Sequence, residues 1–338
     1  MIELQEFANK DKLIFSIKDS LLLVATVKSS SAFTINIKDG RVLSEFKLRD
    51  KTLLNLPITE NTCNCPIDLS NDLQSMDFYK ENQIVLQTEQ SIKFINTKGE
   101  TLESINLNDN LKSQKFLYSN IYEVPILYNA KKNTISVFKY CYKCYERTKK
   151  YYSPNIQTEI TIDNKAVYED SVFYPEIYRK CNWGYLNDVY RSRYEDNQLF
   201  TFNPDHRIYV YNSATQITGI HDGASAYSSN TINILSNKES KDELLMHLIS
   251  SDHYRRIVFD PISHNYFRLF STPKYINKEL QSAKLDNYIQ IFNQEFDLIS
   301  EVKIPKISIN NYFAYGGKLY WISAKDNQLI LFNYTFAK

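Results

Sequence analysis

FTINIKDGRVLSEFKL, residues 33–48, consists of two runs of alternating apolar and polar residues flanking Asp39-Gly40. Alternation of period two gives a strand one apolar face, and Asp-Gly between two such runs fits a two-residue hairpin turn with positive φ at both central positions. The shape recurs along the chain. IKFINTKGETLESINL (92–107) repeats it with Gly99 in a slightly longer loop, RIYVYNSATQITGI (207–220) and YIQIFNQEFDLISEVKIP (288–305) repeat it again, and residues 134–162 read as a lengthened copy. One or two further strand candidates precede each hairpin, so the unit is about four short antiparallel strands every roughly 40 to 60 residues.

That unit is the blade of a β-propeller. Five hairpins and a composite closing unit, NYFAYGGKLYWIS (311–323) with QLILFNYTF (328–336), give an all-β propeller of six blades in one domain over residues 1–338. The closing unit is one strand short, and Leu13–Lys18 is expected to complete it beside the strand near Leu329–Asn333, so that N- and C-terminal strands share a blade. A seventh blade stays open if residues 222–250 hide one, and a β-sandwich or two stacked β domains would show the same alternation. Only 7 glycines serve the turns of 338 residues, which calls for Asn and Asp in left-handed positions, as in YNSATQ and KDNQL. One stretch departs from the β pattern: in SKDELLMHLISS (240–251), Ser240 and Glu243 have capping-box spacing and Leu244, Leu245 and Leu248 share a face, so a short helix is expected near residues 241–250.

Composition narrows the function classes. With 40 Lys and Arg against 39 Asp and Glu, the chain lacks the basic excess of a protein that coats nucleic acid, and no nucleic-acid partner is expected. No run of 18 apolar residues is present, so no transmembrane segment is expected, and the polar opening MIELQEFANKDKLIF cannot be a signal-peptide core. The five cysteines, Cys63, Cys65, Cys141, Cys144 and Cys181, leave thiolate zinc, disulfides and unpaired thiols open. The second pair sits in a strand-like run where residues three apart face opposite sides, so no metal or other cofactor is expected. An odd count leaves at least one thiol unpaired within the chain.

The run SSDHYRRIVFDPISHNYFRLF (250–270), the end of the helix followed by a tyrosine-basic strand, an Asp-Pro turn and an aromatic-Arg strand, resembles a domain-of-unknown-function family of six-bladed β-propeller lipoproteins from Gram-negative gut bacteria. The resemblance implies an exported, periplasmic or cell-surface protein whose leader and lipid anchor lie outside this sequence, and it carries no catalytic residues over. No lipid-attachment cysteine stands near Met1, which leaves a cytoplasmic location as the alternative.

The arginines of that run are the candidate site. If residues 260–265 form the loop and Phe259 pairs with Tyr266, then Ile257 faces Arg268 and Arg255 faces Phe270, which puts two guanidinium groups among aromatic rings. Arg255, Arg268, Tyr266 and Phe270 could then line the channel and hold a carboxylate or sulfated sugar, or simply form a cation-π ladder that keeps a blade soluble. YRSRY (190–194) offers a second cluster, with Arg191 and Arg193 on one strand face and Tyr190 and Tyr194 on the other. No nucleophile elbow, zinc-protease motif or phosphate-cradling glycine loop occurs, and the histidines are scattered, so no catalytic residue is named. The reading is a non-enzymatic binding or scaffold propeller for a protein, an acidic glycan or a peptide. A glycan-active hydrolase or lyase on the same scaffold and a cytoplasmic protein-interaction module are the alternatives.

Overall fold

The computed structural model describes residues 2–3, 13–26, 31–48, 73–88, 91–107, 117–118, 125–140, 156–162, 167–170, 172, 174–180, 183, 186, 188–194, 197–203, 205–212, 217–228, 235, 240–277, 282–305, 311–325 and 328–335. These residues form six antiparallel sheets. After β1 (Ile2–Glu3), the first sheet is β2 (Leu13–Lys18), β3 (Leu21–Thr26), β4 (Ser31–Asn36) and β5 (Val42–Lys47). The second is β6 (Ser75–Phe78), β7 (Gln83–Gln87), β8 (Ser91–Asn96) and β9 (Thr101–Asn106). The third is built from β10 (Leu117–Tyr118), β11 (Leu127–Asn129), β12 (Thr134–Tyr140), β13 (Gln157–Thr161) and β14 (Val167–Asp170). The fourth is β15 (Val189–Tyr194), β16 (Asn197–Phe202), β17 (Ile208–Asn212) and β18 (Ile217–His221). The fifth is β19 (His253–Phe259), β20 (Tyr266–Asn277), β21 (Ser282–Phe292) and β22 (Leu298–Ile304). The sixth is β23 (Tyr312–Tyr315), β24 (Lys318–Lys325) and β25 (Gln328–Thr335), with β1 on its outer edge.

Each sheet packs on the next in chain order. In β3, Leu22 and Val24 turn to the sixth sheet's Phe313 and Ile322, while Leu23 and Ala25 turn to the second sheet's Met76 and Ile84. Both faces are therefore apolar, and the four consecutive residues Leu22 to Ala25 are wholly buried, each larger aliphatic contributing about 1.5–3 kcal/mol. Similar clusters join the second sheet to the third, the third to the fourth, the fourth to the fifth and the fifth to the sixth. The ring closes.

Five of the sheets are regular four-stranded blades, against the six expected. The remaining sheet is branched: Leu117–Tyr118 and Leu127–Asn129 each pair with one part of β12, and Pro125, which has no N–H, precedes the second segment. Closure also differs in detail. Leu13–Lys18 pairs with Leu21–Thr26 as the first strand of its own sheet, and the segment beside β25 is β1, with Ile2 opposite Leu329 and Glu3 opposite Gln328. The six-residue match of β2 with β3 brings Leu13 and Ile14 into the core, which an outer-edge position could not do.

The Asp39-Gly40 turn is longer than two residues. The Asn36 N–H reaches the Arg41 carbonyl at 2.9 Å, Asn36 Oδ1 accepts from the Lys38 N–H, and of the two turn residues only Gly40 has positive φ. The Asn side chain organises the loop, as Asn96 does before Gly99. Scarce glycine is offset at Asp19, Asn82 and Asn133, all in the left-handed region. YNSATQ and KDNQL fall partly outside the described residues, and the five cysteines wholly so. Residues 222–250 add no seventh sheet among the described residues; they carry the helix Lys241–Ser250 with its capping box formed and with Leu244 and His247 buried.

Truncation separates the two N-terminal strands. Removing residues 1–3 costs only the β1 pairing, and a shift of about 2 °C is expected. Removing residues 1–18 also takes away Leu13 and Ile14 and opens the interface between the first and sixth sheets, so a drop of about 10 °C or more is expected in a thermal scan.

Candidate functional site

The leading strands β2, β11, β15, β19 and β23, or the residues at their ends, line one cavity of about 320 Å³ on the ring axis. Asp77 of the sixth leading strand, β6, is wholly buried and accepts from four directions: Ser16 Oγ at 2.6 Å, its neighbour's Phe78 N–H at 2.9 Å, the Tyr128 N–H at 2.8 Å and Arg193 Nη2 at 2.5 Å. One carboxylate thus ties the first four sheets together at the axis.

Arg191 and Arg193 share a face of β15, as alternation requires, and reach the third sheet. Arg191 is fully buried; it donates to Gln157 Oε1, to the Pro125 carbonyl and, at 3.2 Å, to the Ser136 carbonyl, while its Nε has no partner among the described residues. Burial, helped by the nearby Arg193 charge, lowers its pKa to about 9, leaving it charged at neutral pH. The Arg193 side chain is 30% exposed, and its Nη2 serves both Asp77 and the Tyr128 carbonyl at 2.8 Å. Its Nε and Nη1 make no hydrogen bond among the described residues.

The other cluster does not assemble at the channel. Phe259 faces Tyr266 and Ile257 faces Arg268 as expected, but Phe270 faces Tyr254, because a bulge sets Arg255 and Arg256 together against Leu269. The bulge sends the two arginines apart. Arg255 donates to Tyr190 Oη at 2.7 Å and lies 3.9 Å from Asp188. Arg256 turns to the sixth sheet and the axis, donating to the Tyr312 carbonyl and lying 5.3 Å from the Phe15 ring centroid, with its Nε unpartnered among the described residues.

Arg268, on the second strand of its sheet, is buried between the fourth and fifth sheets. It donates to Gln290 Oε1, to the His206 carbonyl at 2.7 Å and to the Gly223 carbonyl, and packs 4.6 Å from the Tyr254 ring centroid. Tyr266 and Phe270 are buried beside it, stacked on Phe296 and Tyr254 respectively. Of the four expected ligand residues, Arg255, Arg268 and Tyr266 join the fifth sheet to the fourth, and Phe270 packs within the fifth. Gly223 is required there, since a Cβ would meet Arg268 Nη2 at 2.3 Å.

Sequence reasoning missed Lys18, Asp77 and Arg256. Lys18 ends β2 opposite Leu21, is exposed, lines the axial cavity, and its ammonium makes no hydrogen bond or ion pair among the described residues. Nothing local marks a leading strand of a blade, so these positions carry no motif. The histidine-acid neighbours do not pair with each other: Asp222 meets His206 at 3.4 Å, while His221 stacks on Phe296. Nor does Asp252 meet His253, for it accepts from Ser228. His253 is buried, with Nδ1 3.1 Å from Asn203 Nδ2 and Nε2 3.0 Å from the Leu248 carbonyl, an arrangement that suits a neutral ring.

A closed ring of antiparallel sheets around an axial cavity defines a β-propeller. The chain belongs to the family described as a domain of unknown function (DUF4221), whose model matches residues 74–303. A crystal structure of a DUF4221 member from Bacteroides vulgatus is 13% identical and covers 99% of this chain and 96% of its own, with a TM-score of 0.71. At that identity the likeness shows the fold. Hsv2 of Kluyveromyces lactis is 9% identical over 93% of this chain and 72% of its own, at a TM-score of 0.46. A luciferin-regenerating enzyme is 10% identical over 99% and 95%, also at 0.46. None of the curated proteins matches in sequence.

Two measurements check this geometry. Asp77→Ala leaves Arg193, Ser16 Oγ and the Tyr128 N–H without their acceptor, and a loss of about 3 kcal/mol is expected in urea unfolding, with Asp77→Asn losing less. Burial and the Arg255 charge lower the His253 pKa to about 4. The unfolded chain takes the proton near pH 6.5 and the folded one resists to about 4, so this contribution to stability is full above about pH 6.5 and falls as pH drops through that window, by at most about 1.4 kcal/mol per unit. His253→Gln should flatten that slope.

Proposed function

We propose that this DUF4221 protein is a non-enzymatic binding propeller in which the branched third sheet completes a ring of six blades, and that the axial cavity receives a small ligand bearing a negative charge. The observation that carries the reading is the set of unpartnered guanidinium donors on the cavity wall: Arg191 Nε and Arg256 Nε are buried without an acceptor, and Arg193 leaves two nitrogens unused beside the partnerless Lys18. Buried donors without partners are rare and costly, and a ligand anion would satisfy them.

Charge supports the same reading. The cavity lining carries four cations, Lys18, Arg191, Arg193 and Arg256, against one carboxylate, Asp19, and Asp77 behind it has no acceptor capacity to spare. Much of the remaining wall is apolar, including Phe15, Leu127, Val258 and Phe313, which favours a ligand whose charge sits on a hydrophobic body. The resemblance to exported lipoproteins supports a periplasmic or cell-surface location, which fractionation of the source cells checks.

Thermal scans at matched ionic strength test the binding. Benzoate and phenylacetate at about 100 times their dissociation constants should stabilise the protein by about 2.7 kcal/mol relative to chloride. The double variant Lys18→Met, Arg193→Met should lose that shift. Equal melting temperatures in chloride and both carboxylates would remove the proposal.

A further inference from the structure

A second cavity, of about 220 Å³, lies between the third and fourth sheets and shares Lys18, Leu127 and Arg193 with the axial one. The two compartments therefore meet at Lys18 and Arg193. Their walls differ: the axial compartment is lined by phenylalanines and aliphatic residues, whereas the second presents Asn129, Glu159, Asn197 and Gln198.

Gln198 identifies what the second compartment lacks. It is 7% exposed, its Nε2 donates to Ser136 Oγ at 3.0 Å, and its Oε1 is buried with no donor among the described residues. A buried carbonyl oxygen on a cavity wall is completed by an incoming N–H. Gln198 also stands directly opposite Arg193 in the pairing of β15 with β16, so the two side chains share a face with Cβ atoms about 5 Å apart.

Resting on the anion-binding reading above, we infer that the two cavities form one site for an N-acylated amino acid with an apolar side chain, the unit that ends a peptide. Its carboxylate meets Arg193 and Lys18, its side chain enters the axial compartment, and its amide N–H donates to Gln198 Oε1. Carboxylate, side chain and amide nitrogen all branch from one carbon, and the adjacency of Arg193, Gln198 and the apolar wall matches that branching. A sugar acid carries the charge but leaves the phenylalanine-lined compartment unfilled.

Calorimetry at pH 7 separates the possibilities, with N-acetylphenylalanine, its carboxamide, 3-phenylpropanoate, galacturonate and glycyl-glycyl-phenylalanine as probes, on wild type and on Gln198→Leu and Arg193→Met variants whose folding is confirmed by circular dichroism. N-acetylphenylalanine is expected to bind about tenfold more tightly than 3-phenylpropanoate, which lacks the N–H, and the carboxamide to bind at least about tenfold more weakly than the acid. Gln198→Leu should erase the first difference and keep the second; Arg193→Met should erase the second. Binding of the tripeptide as tight as that of the acetylated residue points to peptide ends as the source, and weaker binding points to free acylated amino acids. If 3-phenylpropanoate or galacturonate binds as tightly as N-acetylphenylalanine, this inference falls and the anion reading stands. If no anion binds, both fall.

Discussion

Polar atoms that the strand ladders leave unsatisfied at the joints between sheets have to be met by side chains, and in this ring arginine does much of that. Arg191 takes the Pro125 and Ser136 carbonyls, Arg193 that of Tyr128, Arg256 that of Tyr312, and Arg268 those of His206 and Gly223. Each guanidinium crosses from one sheet to the next. A planar fork with five donors suits this task, because it reaches several carbonyls at once from a long apolar stem that packs between the sheets. Asp77 and Asp260 do the converse and gather donors. Asp260 accepts from the Ile262 and Gly316 N–H groups and from Ser263 Oγ within 3.0 Å, and also from the Gly317 N–H, locking the fifth sheet's Asp-Pro turn onto the Gly316-Gly317 turn of the sixth. Both glycines need that role for their backbone, at φ of 63° and 74°, not for space.

This division of labour explains which arginines are free to do anything else. Arg268 spends Nε and both terminal nitrogens on Gln290 and two carbonyls, so nothing is left for a ligand, and burial lowers its pKa to about 10. Arg193 spends one nitrogen and is partly exposed. The difference follows from position: Arg268 is buried between two sheets, while Arg193 lies at the end of a leading strand and lines both cavities.

Much of the architecture was legible in the residues. Period-two runs located the hairpins, and the Ser240–Glu243 spacing located the helix, because both signals depend on neighbours in sequence. The Phe259–Tyr266 register was readable from the loop between them, up to the bulge; two adjacent arginines carry no mark of which will be the extra residue, and that one-residue slip reassigned Arg255. Closure was misplaced for a related reason. Leu13–Lys18 alternates well, and alternation does not say which sheet a strand joins, whereas the two-residue β1 is too short to show any pattern. For the site, YRSRY was recognisable by composition, but Lys18, Asp77 and Gln198 come together only because the ring folds three distant hairpins onto one axis.

Around the axis, some acids and bases are held by the fold and others stand on the cavity walls. Catalysis by acid or base needs a group able to take or give a proton within reach of the bound molecule. Asp77 is buried, and Ser16, Phe78, Tyr128 and Arg193 saturate its oxygens. The axial wall presents guanidinium groups, whose protons stay in place near neutral pH, apolar side chains, Lys18 and the Asp19 carboxylate, and the second cavity adds Glu159. Asp188, which burial pushes toward its protonated form, stands beside Arg255, Tyr190 and Asn203 and lines neither cavity, and His253 is held by Asn203 and the Leu248 carbonyl. Asp77, Asp188 and His253 are thus committed to the structure, while Asp19 and Glu159 stand on the cavity walls beside the donors that remain uncommitted. On the proposed binding reading, those uncommitted donors are the groups that an anion at the axis would meet.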